Sequence, residues 1–171
     1  MQTLILGGAR SGKSRYAETL AKDSGLAVCY IATATAHDHE MQSRIHLHQQ
    51  RRPAQWRTIE EPIALAARLR EVAADHQLVL VDCLTLWLTN LLCSEDPEAL
   101  NRESTALLAV LPTLPGRVIF VSNEVGQGVV PMGELTRRYV DEAGYLHQRL
   151  AEQMRRVVLV VAGLPLILKG E

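Results

Sequence analysis

A chain of 171 residues with a net charge of -1 is sized for one domain with a full core, and it lacks the basic excess of a general nucleic-acid binder. Hydrophobic residues make up 47% of it, yet no apolar run approaches the roughly 20 residues of a membrane span, and the N-terminus shows no signal-peptide pattern. Aromatics are only 4%, so the core has to be built from Leu, Val, Ile and Ala.

The first element is the strand Leu4-Ile5-Leu6, which runs straight into Gly7-Gly8-Ala9-Arg10-Ser11-Gly12-Lys13-Ser14. A helix over about Ser14–Ser24 follows, closed by Gly25. Strand, Gly-x-x-x-x-Gly-Lys-Ser and helix in that order make a Walker A phosphate loop. Glycines let backbone N–H groups approach phosphate oxygens, and the helix start offers further unpaired N–H groups to the same anion. In such a loop Lys13 reaches the β- and γ-phosphates and the Ser14 hydroxyl can ligate Mg²⁺. A glycine-rich turn that binds nothing would not need this context at both ends, so the chain is expected to bind a nucleoside triphosphate.

Ala27–Ala32 is a second strand, and Asp38 is a plausible N-cap for a polar helix to about Gln50, ended by Arg51-Arg52-Pro53. Trp56–Glu60 predicts a short strand. Pro62 suits a first helical turn, and Leu65, Ala66, Leu69, Val72 and Ala73 keep the helical period after it. Leu78–Asp82 is a strand whose apolar residues do not alternate with polar ones, which places it inside a parallel sheet. A leucine-dense helix over Leu84–Cys93 follows, then one marked by Leu100, Leu107, Leu108 and Leu111, then the strand Arg117–Val121. Asn123–Gly133 is a loop with three glycines and a proline. The last helix carries Leu135, Tyr139, Leu146, Leu150 and Met154 on one face, Val157–Val161 is the last core strand, and Pro165–Leu168 adds an edge strand. Strand and helix alternate without linker or repeat over residues 1–171, which predicts a single α/β domain with a mostly parallel sheet. Its ligand belongs at the strands' carboxyl ends.

Several side chains there carry chemistry. Asp82 closes an aliphatic strand, the place of a Walker B carboxylate for the Mg²⁺ shell; the plainer reading is a solvated acid at a strand end. Glu124 has two open roles, orienting a nucleophile or holding a helix N-terminus. Cys29, Cys83 and Cys93 have no metal-ligand spacing; Cys29 and Cys83 read as small buried residues in a reducing, cytoplasmic setting. Fifteen of the 18 basic residues are Arg, a bias that a GC-rich genome explains better than phosphate binding does. Four of six histidines fall between His37 and His48. His46 and His48 point about 200° apart on a helix, so they cannot easily share a zinc ion, and His37, His39 and His46 fit a solvated face. His48 lies beside the inward stripe of Met41 and Ile45, where an imidazole near a triphosphate can be a base, a transition-state donor or a nucleophile.

The phosphate loop followed by Tyr30-Ile31-Ala32-Thr33 resembles the bifunctional adenosylcobinamide kinase / adenosylcobinamide-phosphate guanylyltransferase family of cobalamin biosynthesis. The similarity continues through Glu40-Met41, Arg44-Ile45, His48, Arg52-Pro53, Trp56-Arg57-Thr58 and Thr89-Asn90-Leu91-Leu92, and reaches the family-specific block Ser122-Asn123-Glu124-Val125-Gly126-Gln127-Gly128-Val129-Val130-Pro131. The resemblance implies a RecA-like P-loop NTPase fold in a homotrimer. It implies two reactions: phosphorylation of adenosylcobinamide by ATP or GTP, then transfer of GMP from GTP through a guanylylated histidine, which falls on His48. It also places nucleotide contacts on Gly7, Gly8, Ala9, Arg10, Ser11, Gly12, Lys13, Ser14, Ala32, Thr33, Ala34, Gln49, Gln50, Arg51, Arg52, Glu60 and Asp82, with Ser14 and Asp82 as the Mg²⁺ ligands. Two rival classes share parts of this pattern. A P-loop kinase of another metabolite would not need His48, and a RecA-like nucleic-acid module would want a basic groove and stacking aromatics.

Overall fold

A computed structural model describes residues 1–35 and 53–170. The helix expected after Asp38, with the histidines from His37 to His48 and the residues Gln49–Arg52, lies outside the described residues. Seven strands form one sheet: β1 (Gln2–Gly7), β2 (Ala27–Ala32), β3 (Arg57–Glu60), β4 (Gln77–Asp82), β5 (Arg117–Asn123), β6 (Arg156–Val161) and β7 (Leu164–Lys169), in the order β3-β2-β4-β5-β1-β6-β7. All neighbours pair parallel except β7, which runs antiparallel to β6. The helices are α1 (Lys13–Asp23), α2 (Leu65–Val72), α3 (Leu84–Leu92), α4 (Ala99–Val110) and α5 (Glu134–Gln153).

The unbroken aliphatic runs are explained by two apolar layers, one on each face of the sheet. Along β4, Leu78 and Leu80 pack with Ala17 and Ala21 of α1, while Val79 and Val81 pack with Trp87, Leu88 and Leu107 from the helices of the other face. Each side chain of this kind, fully buried, contributes roughly 1.5–3 kcal/mol. Trp87 has no solvent exposure and donates its indole N–H to Ile63 O at 2.8 Å, so the largest core side chain leaves no polar atom unpaired.

Two local expectations are corrected by the structure. Pro62 is not in the first helical turn: α2 begins at Leu65, and the turn before it is held by Glu61 Oε1, which accepts the N–H groups of Ile63 and Ala64 at 3.1 and 2.7 Å. Leu135 is 56% exposed, like the rest of the first turn of α5, whereas Leu146, Leu150 and Met154 are buried as the period predicts. Gly25 follows α1 in the left-handed region, φ 67, as the closing glycine should. Strand register brings the functional ends level. Ala32 pairs with Glu60 and Asp82, and Gly7 pairs with Asn123.

Candidate active site

The carboxyl end of β1 turns into the loop Gly8–Gly12, which α1 continues. Gly12 has φ 96, a conformation open to glycine and strained for other residues, and Tyr16 N–H donates to its carbonyl at 2.9 Å. The far side of the loop rests on the β6–β7 turn. Gly163 N–H donates to Ser11 O at 2.8 Å, and a Cβ on Gly12 would meet Gly163 Cα at 3.1 Å. The loop is therefore clamped between its own helix and the last hairpin.

Lys13, in the first turn of α1, is buried and donates Nζ–H to Gly8 O at 3.2 Å. Burial pulls its pKa down, opposed by the charges of Cys83 and Asp82. The Cys83 thiol is itself pushed up to about 11, chiefly by burial, so at neutral pH the negative charge facing Lys13 is that of Asp82. Asp82 Oδ2 accepts from Tyr30 OH at 3.0 Å, which fixes the carboxylate at the end of β4. The phosphate loop and the strand-end carboxylate expected from sequence thus share one edge.

Two polar atoms on that edge, Ser11 Oγ and Asn123 Oδ1, are buried with no hydrogen-bond partner among the described residues. Orphaned polar atoms of this kind cost stability unless a ligand satisfies them. Among the described residues no group of three His, Cys, Asp or Glu side chains could hold a metal ion. Mg²⁺ does not need one, because it takes one or two protein oxygens and completes its shell with phosphate and water. The hydroxyl of Ser14, the carboxylate of Asp82 and the unpaired Oδ1 of Asn123 are all hard oxygen donors, a set that fits this ion.

The stretch after β2 is tied rather than open. Thr33 is wholly buried; its Oγ1 donates to Cys83 O at 2.6 Å and accepts Cys83 N–H at 3.0 Å. Asn90 Nδ2 donates to Thr33 O at 2.8 Å and to Pro62 O at 3.1 Å. The Thr33 side chain is thereby fully engaged, while Ala32 and Ala34 flank it at the same edge. Glu60, the last residue of β3, is exposed beside Ala32. His48, Gln49, Gln50, Arg51 and Arg52 fall outside the described residues.

Glu124 does not hold a helix N-terminus. Its Oε1 accepts Gly126 N–H at 2.7 Å, and its Oε2 lies 3.9 Å from Nδ1 of His147 on α5. His147 was not legible as a site residue, although it falls one position after Leu146 in the buried stripe, where a polar side chain needs a partner.

A family model described as cobinamide kinase / cobinamide phosphate guanyltransferase matches residues 3–168. The chain is 66% identical over 171 residues to the bifunctional adenosylcobalamin biosynthesis protein of Pseudomonas aeruginosa, covering 100% of this chain and 99% of that one. It is 41% identical over 182 residues to the protein of the same description from Escherichia coli, covering 99% and 100%. Among solved structures, one from Pyrococcus horikoshii superposes with a TM-score of 0.59 at 10% identity over 99% of this chain and 86% of that one. The RadB recombinase superposes with a TM-score of 0.52 at 16% identity, over 92% and 73%. At such identities the likeness is one of fold, that of a P-loop NTPase, and it agrees with the strand–loop–helix geometry of the phosphate site.

Proposed function

This chain belongs to the cobinamide kinase / cobinamide phosphate guanyltransferase family, and on that premise we propose how one nucleotide edge serves both reactions. The enzyme phosphorylates adenosylcobinamide and then converts the phosphate to the GDP derivative. The observation that carries the reading is the single clamped phosphate loop with Lys13 facing Asp82 and two unsatisfied polar atoms beside it. In the kinase reaction the loop N–H groups and Lys13 orient the β- and γ-phosphates of ATP or GTP, and the acceptor hydroxyl attacks the γ-phosphorus in line. Mg²⁺, held by Ser14 and Asp82, would neutralise phosphate charge when bound.

GMP transfer requires attack at the α-phosphorus with pyrophosphate leaving. His48 supplies the nucleophile, and the guanylylated imidazole keeps the activated GMP between two displacements. Gln49, Gln50, Arg51 and Arg52, with Ala32, Thr33, Ala34 and Glu60, complete the nucleotide contacts; Thr33 contributes through its backbone, since its hydroxyl is engaged by Cys83. His48 must be neutral to attack, so transfer should weaken as the pH falls below roughly 6.5, the ordinary imidazole pKa. A cytoplasmic homotrimer completes the reading. The three free cysteines fit a reducing compartment, and a solution mass three times 18.9 kDa would establish the trimer. Among the described residues no helix is long and apolar enough to cross a membrane.

Labelled GTP tests the histidine. Label from the α-phosphate should stay on the denatured protein, stable to alkali and released by mild acid, while label from the γ-phosphate should not. His48→Ala should lose that label and GMP transfer but keep cobinamide phosphorylation, and His46→Ala should keep both. Uptake of the α-label by His48→Ala, or its loss in His46→Ala, would move the nucleophile elsewhere. A wild-type chain that takes no label under any condition does not pass GMP through a histidine.

A further inference from the structure

The end of β5 holds a buried polar chain that neither reaction uses as described so far. His147 is 8% exposed, and its Nε2 lies 2.7 Å from Ser122 Oγ. Ser122 Oγ in turn lies 3.5 Å from Thr85 Oγ1, which accepts Asn123 N–H at 2.7 Å. One proton is shared between Ser122 Oγ and Nε2, and Nδ1 of the ring faces Glu124. Burial lowers the His147 pKa, although the Glu124 charge works against it, so the ring is neutral. The 3.9 Å from Nδ1 to Oε2 is longer than a direct hydrogen bond, so the ring stands beside the carboxylate without bonding it. Gly126 N–H donates to the other oxygen and orients the Glu124 carboxylate, while its side chain stays 25% exposed.

Glu124 also has a defined place. Its N–H donates to Gly7 O at 3.0 Å, so it flanks the phosphate loop. Its neighbour Val125 lines a cavity of about 300 Å³ between α3 and α5, with Thr85, Thr89, Leu92, Leu135 and Tyr139. The walls are mainly aliphatic with a few hydroxyls, and the exposed Val129, Val130 and Met132 belong to the loop that joins Val125 to α5. Helix α1 packs on the opposite face of the sheet. Glu124 lies between the cavity and the phosphate loop: its backbone N–H bonds to Gly7 at the start of the loop, and the next residue, Val125, lines the cavity.

We propose that Glu124 receives the proton of the acceptor hydroxyl in the kinase reaction, oriented by Gly126 N–H with His147 beside it, and with the acceptor's arm entering through the cavity between α3 and α5. This rests on the kinase reading above. The ligand chemistry is that of an apolar arm ending in an alcohol. In the step, the hydroxyl oxygen bonds to the γ-phosphorus and the bond from that phosphorus to the β,γ-bridging oxygen breaks. The electron pair leaves on the nucleoside diphosphate, and the hydroxyl proton passes to Glu124, whose exposed side returns it to water. His147 is a positioning residue that does not touch the acceptor.

The test is Glu124→Gln in the full chain, assayed for cobinamide phosphorylation and, by equilibrium titration, for GTP binding. The expected result is a kcat for phosphorylation lower by roughly a hundredfold or more, with the cobinamide KM moved by less than about threefold. GTP affinity should be kept. Glu124→Asp, which retains a carboxylate one methylene short, should recover part of the rate, and His147→Gln should lower kcat less than Glu124→Gln does, without moving KM. Wild-type phosphorylation by Glu124→Gln overturns the proposal and leaves the kinase reading standing. If the wild-type chain phosphorylates no cobinamide, the reading itself fails. If Glu124→Gln and Glu124→Asp lose GTP binding together with phosphorylation, the residue holds the loop rather than the proton, and the proposal fails as well.

Discussion

Replacing Gly12 by Ala tests the clamped phosphate loop most directly. The residue sits at φ 96, where a Cβ costs about 1–2 kcal/mol. The same Cβ would lie 3.1 Å from Gly163 Cα, a backbone atom fixed by the hydrogen bond of Gly163 N–H to Ser11 O and unable to swing away as a side-chain tip would. Crowding of this kind adds on the order of 1 kcal/mol, and the stiffer unfolded chain returns about 0.4–1 kcal/mol. The sum, about 2 kcal/mol, should lower the melting temperature by roughly 4–8 °C in a chain of this size. Two companions separate the parts. Gly163→Ala has φ 81 but nothing within 4 Å of the new Cβ, so it should show the strain alone, and Gly8→Ala has neither and should be close to neutral. Calorimetry and urea unfolding would measure all three, with GTP affinity falling in the same order. A Gly12→Ala variant as stable as Gly8→Ala would refute the clamp.

Other outcomes follow from the same edge. Lys13→Ala should abolish both reactions, because one triphosphate site serves them; GMP transfer at near wild-type rate would reveal a second site. Asp82→Asn should raise the Mg²⁺ concentration needed for half activity, and an unchanged metal titration would return Asp82 to a solvated strand end. His147 has a lowered pKa from burial, so the unfolded chain takes up a proton that the folded one resists. Its contribution is full above roughly pH 6.5 and is lost as the pH falls from there through the folded pKa. Urea midpoints from pH 7.5 to 5 should fall more steeply in the wild type than in His147→Gln, and parallel curves would exclude this group. The 124–133 loop, with Val129 95% and Met132 97% exposed, should be cut by protease more slowly when GTP and cobinamide are present, and equal cutting would exclude closure over the ligands.

Much of this was legible because a doubly buried strand leaves a strong trace. The runs in β1, β2, β4 and β5 are short, continuous and apolar, rich in β-branched residues, and such runs fit strands in the middle of a parallel sheet. The phosphate loop was legible because its glycines and Lys13 are adjacent in the chain as well as in space. What sequence could not give were contacts made across long separations. Nothing local marks Glu124 and His147 as facing each other, and nothing in the α5 period says that Leu135 is left exposed while Leu146 is buried. The four clustered histidines drew attention by proximity, whereas His147 stands alone in a helix and acquires meaning only from Ser122 and Glu124.

Thr33 imposes a constraint of another kind. Its hydroxyl both gives a proton to Cys83 O and takes one from Cys83 N–H, so one oxygen serves both backbone groups of that residue. One side chain thus ties the ends of β2 and β4 together beyond the last backbone pair, Ala32 and Asp82. Only a group that donates and accepts through one small atom can do this, so the position has an alphabet of two letters, Thr and Ser. Valine has the same shape and would strand both groups of Cys83 in the interior. The segments leading away from β2 and β4 at the nucleotide edge are in this way fastened into one piece, and a substitution written in one of them is felt in the other.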